Sequence, residues 1–278
     1  MKRTLALTGL LLTTSALIWA QDADRVVIPA RNSTRPRVVN ASVLNGSITV
    51  KTYDGKEVIV EAGTGSAARE RERGRQDRSA PPDGLKRLDL PGRSGLEVEE
   101  DDNVITIHTR VNSNSNLTIT VPVNTSLNLK GTNGGQITVE GVTGEIDVNN
   151  LNGGITLTNV SGSVIAHSLN GTVKVTMAHV DPGKQLSFST LNGSIDVALP
   201  ADLKANLKLK ADNGDIFTDF DVKFDSAGSK PITESDTGKN GKFRVRFDKT
   251  IYGSINGGGP EVSFQTFNGR ISIRKNTK

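Results

Sequence analysis

At 278 residues the chain can hold one large β domain or two smaller ones, and with no cysteine it has neither a disulfide framework nor a thiol to carry a lipid. Thirty-four basic residues against thirty acidic ones leave +4, too small a balance to argue for a nucleic-acid partner. Aromatics are only 4%, thin for a two-sheet sandwich but sufficient for a narrow core lined by Val, Ile and Leu.

The first residues place Lys2 and Arg3 ahead of an apolar run from Leu5 to Ile18, followed by the small Ala20. This is the pattern of a secretory signal peptide over residues 1–20. The run is short for a spanning helix, and no later stretch is long enough to cross a bilayer, so no transmembrane segment is expected after cleavage. Loss of Lys2 and Arg3 would lower the formal charge to +2. Residues 21–37, polar and holding Pro29 and Pro36, read as an extended lead-in.

Alternating apolar residues begin at Val38, with a first corner at Asn45-Gly46 and a second turn at Asp54-Gly55. Residues 62–95 interrupt the pattern. They are rich in Arg, Gly, Pro and acids, have few apolar side chains to offset the entropy of ordering, and are expected to form a disordered loop insertion. The alternation returns at Leu96, and the acidic run 99–103 reads as a hairpin turn, since it lacks the spacing of a calcium loop. Pro122 closes the next strand.

From residue 132 to 177 the chain repeats. Gly134, Gly144, Gly153, Gly162 and Gly171 are separated by 10, 9, 9 and 9 residues, each followed by a short strand of alternating polarity. Asn-Gly corners (Asn133-Gly134, Asn152-Gly153, Asn170-Gly171) alternate with Val-x-Gly corners at Gly144 and Gly162, so the period is two strands. The Asn-Gly kind continues at Asn192-Gly193, Asn213-Gly214 and Asn268-Gly269. Self-similarity at about 20 residues signals a solenoid, whose repeats bury their apolar faces only by stacking. Asn-Gly also fits an ordinary hairpin turn, but a meander of hairpins would not distinguish odd from even turns. The expected fold is therefore an all-β, single-domain β-solenoid over residues 38–275 with an N-terminal capping β region. Strand alternation assigns Ile146, Val148, Leu151, Ile155, Leu157, Val164, Ala166, Leu169, Val173, Val175, Leu191, Ile195 and Val197 to the core, and Thr156 and Thr158 to the surface. The last coil, ending near Lys275, is expected to form an exposed edge guarded by Arg270, Arg274 and Lys275.

No chemistry stands out. His108, His167 and His179 form no paired metal motif, no serine sits in a nucleophile elbow, and no cofactor loop is present. Asp147, Asp196 and Asp215 each follow a corner glycine and are the candidates for a stacked carboxylate face of the kind a polysaccharide-processing β-helix enzyme would need. No catalytic, cofactor-binding or metal residue is assigned.

Three segments, VLNGSITVKTYDGKEVIVEA at 43–62, the repeats at 117–164 and GGGPEVSFQTFNGRISIRK at 257–275, resemble the bacterial putative-adhesin family of β-strand-repeat proteins, a domain of unknown function. The 62–95 insertion departs from that family's compact link. The resemblance implies an exported β-solenoid with a surface or envelope role, and it carries over no catalytic residue. The expected location is the periplasm, cell envelope or exterior, and the partner is left open, with a cell-envelope glycan or an envelope protein as the candidates. The expectation is a non-catalytic adhesin or binding scaffold, with an envelope-stress sensor acting through a membrane partner and a polysaccharide-processing enzyme as alternatives.

Overall fold

The structure, a computed structural model, describes residues 24–31, 35–64, 96–109, 115–181, 183–225, 231–235, 243–247 and 250–276. The expected signal peptide and residues 65–95 of the expected insertion lie outside them. Ala62, Gly63 and Thr64, assigned to that insertion, instead complete a strand, because Ala62 turns its methyl into the core opposite Leu117.

The chain begins with β1 (Asp24–Ile28), β2 (Arg37–Asn45), β3 (Ile48–Tyr53) and β4 (Val58–Thr64), then β5 (Leu96–Asp101), β6 (Val104–Thr109) and β7 (Ser115–Pro122). The repeats follow as β8 (Thr125–Asn133), β9 (Ile137–Glu140), β10 (Ile146–Asn152), β11 (Ile155–Ser161), β12 (Val164–Asn170), β13 (Val173–His179), β14 (Leu186–Asn192) and β15 (Ile195–Pro200). Next come β16 (Ala205–Asn213), β17 (Ile216–Thr218), β18 (Val222–Phe224), the separate antiparallel hairpin β19 (Pro231–Ser235) and β20 (Phe243–Phe247), then β21 (Ile251–Ile255), β22 (Glu261–Asn268) and β23 (Ile271–Asn276).

Successive repeat strands go to opposite sheets. The eleven-stranded sheet contains β2, β8, β10, β12, β14, β22 and β16 side by side, and the ten-stranded sheet contains β3, β9, β11, β13, β15, β23 and β17. Each coil thus contributes one strand to each sheet, and neighbouring coils pair in parallel, as at Ile146↔Val164 and Ile155↔Val173. Inward side chains from both sheets fill a slim aliphatic core: Ile146, Val148, Ile155, Leu157, Val164, Val173, Val175, Ile195 and Val197 are at most 2% exposed. Within it the rings of Phe188 and Phe264 pack against each other, tilted by 33° with centroids 5.3 Å apart. The fold is an all-β solenoid with coils of about 20 residues, as the period requires.

The order of coils in space departs from the order in sequence at both ends. The first coil, β2–β3, lies between β6–β7 and β8–β9. The last coil, β22–β23, lies between β14–β15 and β16–β17. The chain therefore skips one layer twice, once after Pro122 and once after Pro200. The expected exposed edge at the C-terminal coil is overturned: β22 and β23 are hydrogen-bonded on both sides, because the segment from 205 to 224 closes the stack outside them. Arg274 accordingly pairs across strands with Asp196 (3.5 Å), and the Lys275 ammonium lies 5.5 Å from the centre of the Phe220 ring.

Antiparallel strands cap the two ends. β4 and β1 cover β7, β5 covers β6, and β21 and β18 cover β16. The lead-in is therefore a paired strand in part, and Ile28 is buried against the core. The acidic hairpin turn between β5 and β6 narrows to Asp102-Asn103, both with left-handed φ (43° and 67°).

Candidate functional site

At the Asn-Gly edge, the side chains of the corner asparagines form a ladder. Asn133 Nδ2 donates to Asn45 Oδ1 (3.1 Å), Asn170 to Asn152 (2.8 Å), Asn192 to Asn170 (2.8 Å), Asn268 to Asn192 (2.8 Å) and Asn213 to Asn268 (3.0 Å). One step differs: Asn152 Nδ2 donates to the Thr132 carbonyl (3.2 Å), where the extra residue Gly134 widens the corner and Gly135 takes the place of the corner glycine. A primary amide has two donor hydrogens and an acceptor oxygen. Asn170, Asn192 and Asn268 each use the oxygen and one amide hydrogen on neighbouring rungs, leaving the second amide hydrogen outside the ladder.

The glycines beside the ladder answer two different demands. Gly134 and Gly269 have left-handed φ (71° and 148°). At Gly153, Gly171, Gly193 and Gly214 the demand is closeness, since a Cβ there would run into the carbonyl oxygen of Gly135, Gly153, Gly171 and Gly269 respectively. On the opposite edge Gly162 (φ 92°) stacks on Gly144 in the same way, and Val142 and Val160 plug the interior.

Within the edge lies a polar column that sequence reasoning missed. Asn150 Nδ2 donates to the Gly135 carbonyl (2.8 Å), Ser168 Oγ to Gly153 (3.0 Å), Thr190 Oγ1 to Gly171 (2.9 Å) and Thr266 Oγ1 to Gly193 (3.0 Å). All four side chains are buried. Each satisfies a corner carbonyl of the adjacent coil that would otherwise be left without a partner in the interior. The signal was available: Asn-Leu-Asn-Gly, Ser-Leu-Asn-Gly, Thr-Leu-Asn-Gly and Thr-Phe-Asn-Gly each carry a small polar residue two places before the corner asparagine.

This column corrects the core assignment. Leu151 and Leu191 are 43% and 41% exposed and Leu169 is half-buried, because inward alternation along β10 runs Ile146, Val148, Asn150 and puts Leu151 outside. Counting back from Ile155 through the bend inverted the parity. The displaced side chains form a ridge: register pairs on either side place Leu151, Leu169, Leu191 and Phe267 on four adjacent strands. At the usual strand spacing the ridge is about 14 Å long. On its far side lie Asn149, His167, Ser189 and Gln265, with His167 Nδ1 and Ser189 Oγ 2.8 Å apart.

The proposed carboxylate face does not form. Asp147 is on β10 in one sheet, whereas Asp196 is on β15 in the other, and Asp215 precedes β17 with the last coil between it and the Asp196 coil. Nor do the histidines gather: His108 is on β6, His167 on β12, and His179 ends β13 beside Asp181 (3.3 Å). Among the described residues no three His, Cys, Asp or Glu side chains stand together as metal ligands. A recess of about 390 Å³ opens where the chain skips a layer, between Val180, Lys184, Leu203, Lys204, Pro260 and Val262. On its rim His179 faces Asp181, and Lys184 is tied to Glu145 (3.2 Å).

Two largely parallel sheets wound from twenty-residue coils, with a patterned outer face, define a β-solenoid. The chain belongs to the Toastrack DUF4097 family, whose match spans residues 38–256. No curated protein matches it. Among solved structures it is similar to a putative cell adhesion protein from Clostridium sporogenes (9% identity, TM-score 0.40, covering 91% of this chain and 100% of that one). It is also similar to putative adhesins from Bacteroides fragilis (11%, 0.32, 92% and 98%) and Parabacteroides merdae (6%, 0.30, 93% and 98%). No helix among the described residues is long and apolar enough to cross a membrane.

Proposed function

We propose that the protein is a non-catalytic, exported envelope or surface scaffold that binds a repeating polymer, an envelope glycan, along the Asn-Gly edge. The observation that carries this reading is the pairing of the Leu151–Leu169–Leu191–Phe267 ridge with the adjoining asparagine ladder. Apolar side chains can lie against the C–H faces of sugar rings, while the ladder offers one amide N–H per coil at the strand repeat. A rigid parallel stack holds both rows in place, so little ordering entropy is lost on contact. Residues 1–20 act in this reading as a cleaved signal peptide, and residues 38–275 hold the solenoid of the mature protein.

The test is a glycan array and a pull-down of isolated cell-envelope polysaccharide with the mature protein and with Leu169→Lys/Leu191→Lys. Retention by the native protein and at least tenfold weaker retention by the variant supports the reading. No retention of any glycan by the native protein, or equal retention by both, refutes it.

A further inference from the structure

We infer that Asn213 is a site of spontaneous covalent modification: of the rungs on its side of the ladder, it is the one open to succinimide formation with Gly214. The chemistry is intrinsic to Asn-Gly. The Gly214 backbone nitrogen attacks Cγ of Asn213, forming an N–C bond. The Cγ–Nδ2 bond breaks, and Nδ2 leaves as ammonia after taking up the proton lost by the attacking nitrogen through water. Water then opens the five-membered imide at either carbonyl, giving aspartate or its β-linked isomer. Glycine favours the attack because it has no side chain to shield its nitrogen.

What decides the rate in a folded protein is whether the two reacting groups are held elsewhere. At Asn170, Asn192 and Asn268 they are. Each Oδ1 accepts from the next rung, from Asn192, Asn268 and Asn213 in turn. Each following glycine N–H is also engaged: Gly171 donates to the Asn192 carbonyl (3.1 Å), Gly193 to Asn268 (2.9 Å) and Gly269 to Asn213 (3.2 Å). Attack at these rungs needs the side chain to turn and the glycine nitrogen to leave its partner, which means a local opening of two coils.

Asn213 is the last rung, with the Asn268 coil on one side and no further coil on the other. It keeps the bond from its Nδ2 to Asn268 Oδ1, but among the described residues its Oδ1 accepts no hydrogen bond and the Gly214 N–H has no backbone partner. Both residues are exposed. Two fewer hydrogen bonds, each with a modest net value, correspond to reaction roughly 30-fold faster at Asn213 than at the three held rungs. The product replaces an amide donor facing Asn268 Oδ1 by a carboxylate, adding a negative charge at the C-terminal end of the stack.

The experiment is peptide mapping by mass spectrometry of the folded protein incubated at mildly alkaline pH, alongside the same protein in denaturant. The expected result is early conversion of the Asn213 peptide in the folded protein, with Asn170, Asn192 and Asn268 lagging by at least tenfold, and comparable rates at all four in denaturant. Equal rates in the folded protein, an intact Asn213, or a difference that persists in denaturant would each overturn the inference.

Discussion

Gly134 and Gly171 occupy similar corners yet should respond differently to the same methyl group. An alanine Cβ at Gly134 meets no atom within 4 Å, so the cost of Gly134→Ala is that of the left-handed φ, about 1–2 kcal/mol. At Gly171 the Cβ would strike the Gly153 carbonyl of the neighbouring coil, which the parallel stack prevents from moving aside. Gly171→Ala should therefore lose about 3 kcal/mol or more, as overpacking against fixed atoms does. Urea titrations of the two variants test the ordering, and a smaller loss at Gly171 than at Gly134 would contradict the close-approach account. The buried hydroxyl column makes a second prediction of this kind. Thr190→Val keeps the volume but withdraws the donor from the Gly171 carbonyl, at about 1–3 kcal/mol. Thr190→Ser, which copies Ser168, should recover most of that loss, and melting temperatures of the pair would show whether it does.

Strands and their outer faces are the scale at which stability and binding separate. Leu169→Lys/Leu191→Lys alters side chains on the outside of β12 and β14, so the unfolding midpoint should change by no more than about 0.5 kcal/mol per site. A large drop would mean that the ridge serves packing and not recognition. The same strands show where sequence reasoning succeeds and where it stops. Two-residue alternation and the doubled corner period were enough to identify coils, to place Ile155, Val173 and Ile195 inside, and to separate Asn-Gly from Val-x-Gly corners. Parity does not survive a bend, however, so Leu151, Leu169 and Leu191 were assigned to the wrong side. Hydropathy also discounts a buried Ser or Thr, because it has no way to represent the carbonyl that such a residue satisfies. Asp147, Asp196 and Asp215 followed similar glycines in the sequence, but those glycines belong to opposite edges or to non-adjacent coils.

At the scale of the whole molecule, the two skips were invisible in the repeat because a period reports spacing along the chain and not the order of layers. Val121-Pro122 and Leu199-Pro200 mark them, each proline ending a strand just before a link that passes one coil. Near the second link, Asn256 Nδ2 holds the Ala201 and Leu203 carbonyls (3.0 and 2.7 Å), fastening the approach to the last coil against it. Removing residues 261–278 would take away an inner layer, baring inward side chains and ladder groups of both neighbours. The expected outcome is an aggregating product with no sharp unfolding transition. A truncated protein that stayed monomeric and unfolded cooperatively would show that the final coil is dispensable.

A stack in which β22–β23 enter between two layers made before them cannot be finished in the order of synthesis. While residues up to 255 are available, β14 and β16 have no strand to join them, and the slot closes only when β22 arrives. Pulse-labelled chains should therefore stay protease-sensitive until residues 261–276 have emerged from the ribosome. Until that insertion the stack stands open beside β14 and β16, and β22–β23 are the latch that fixes its shape.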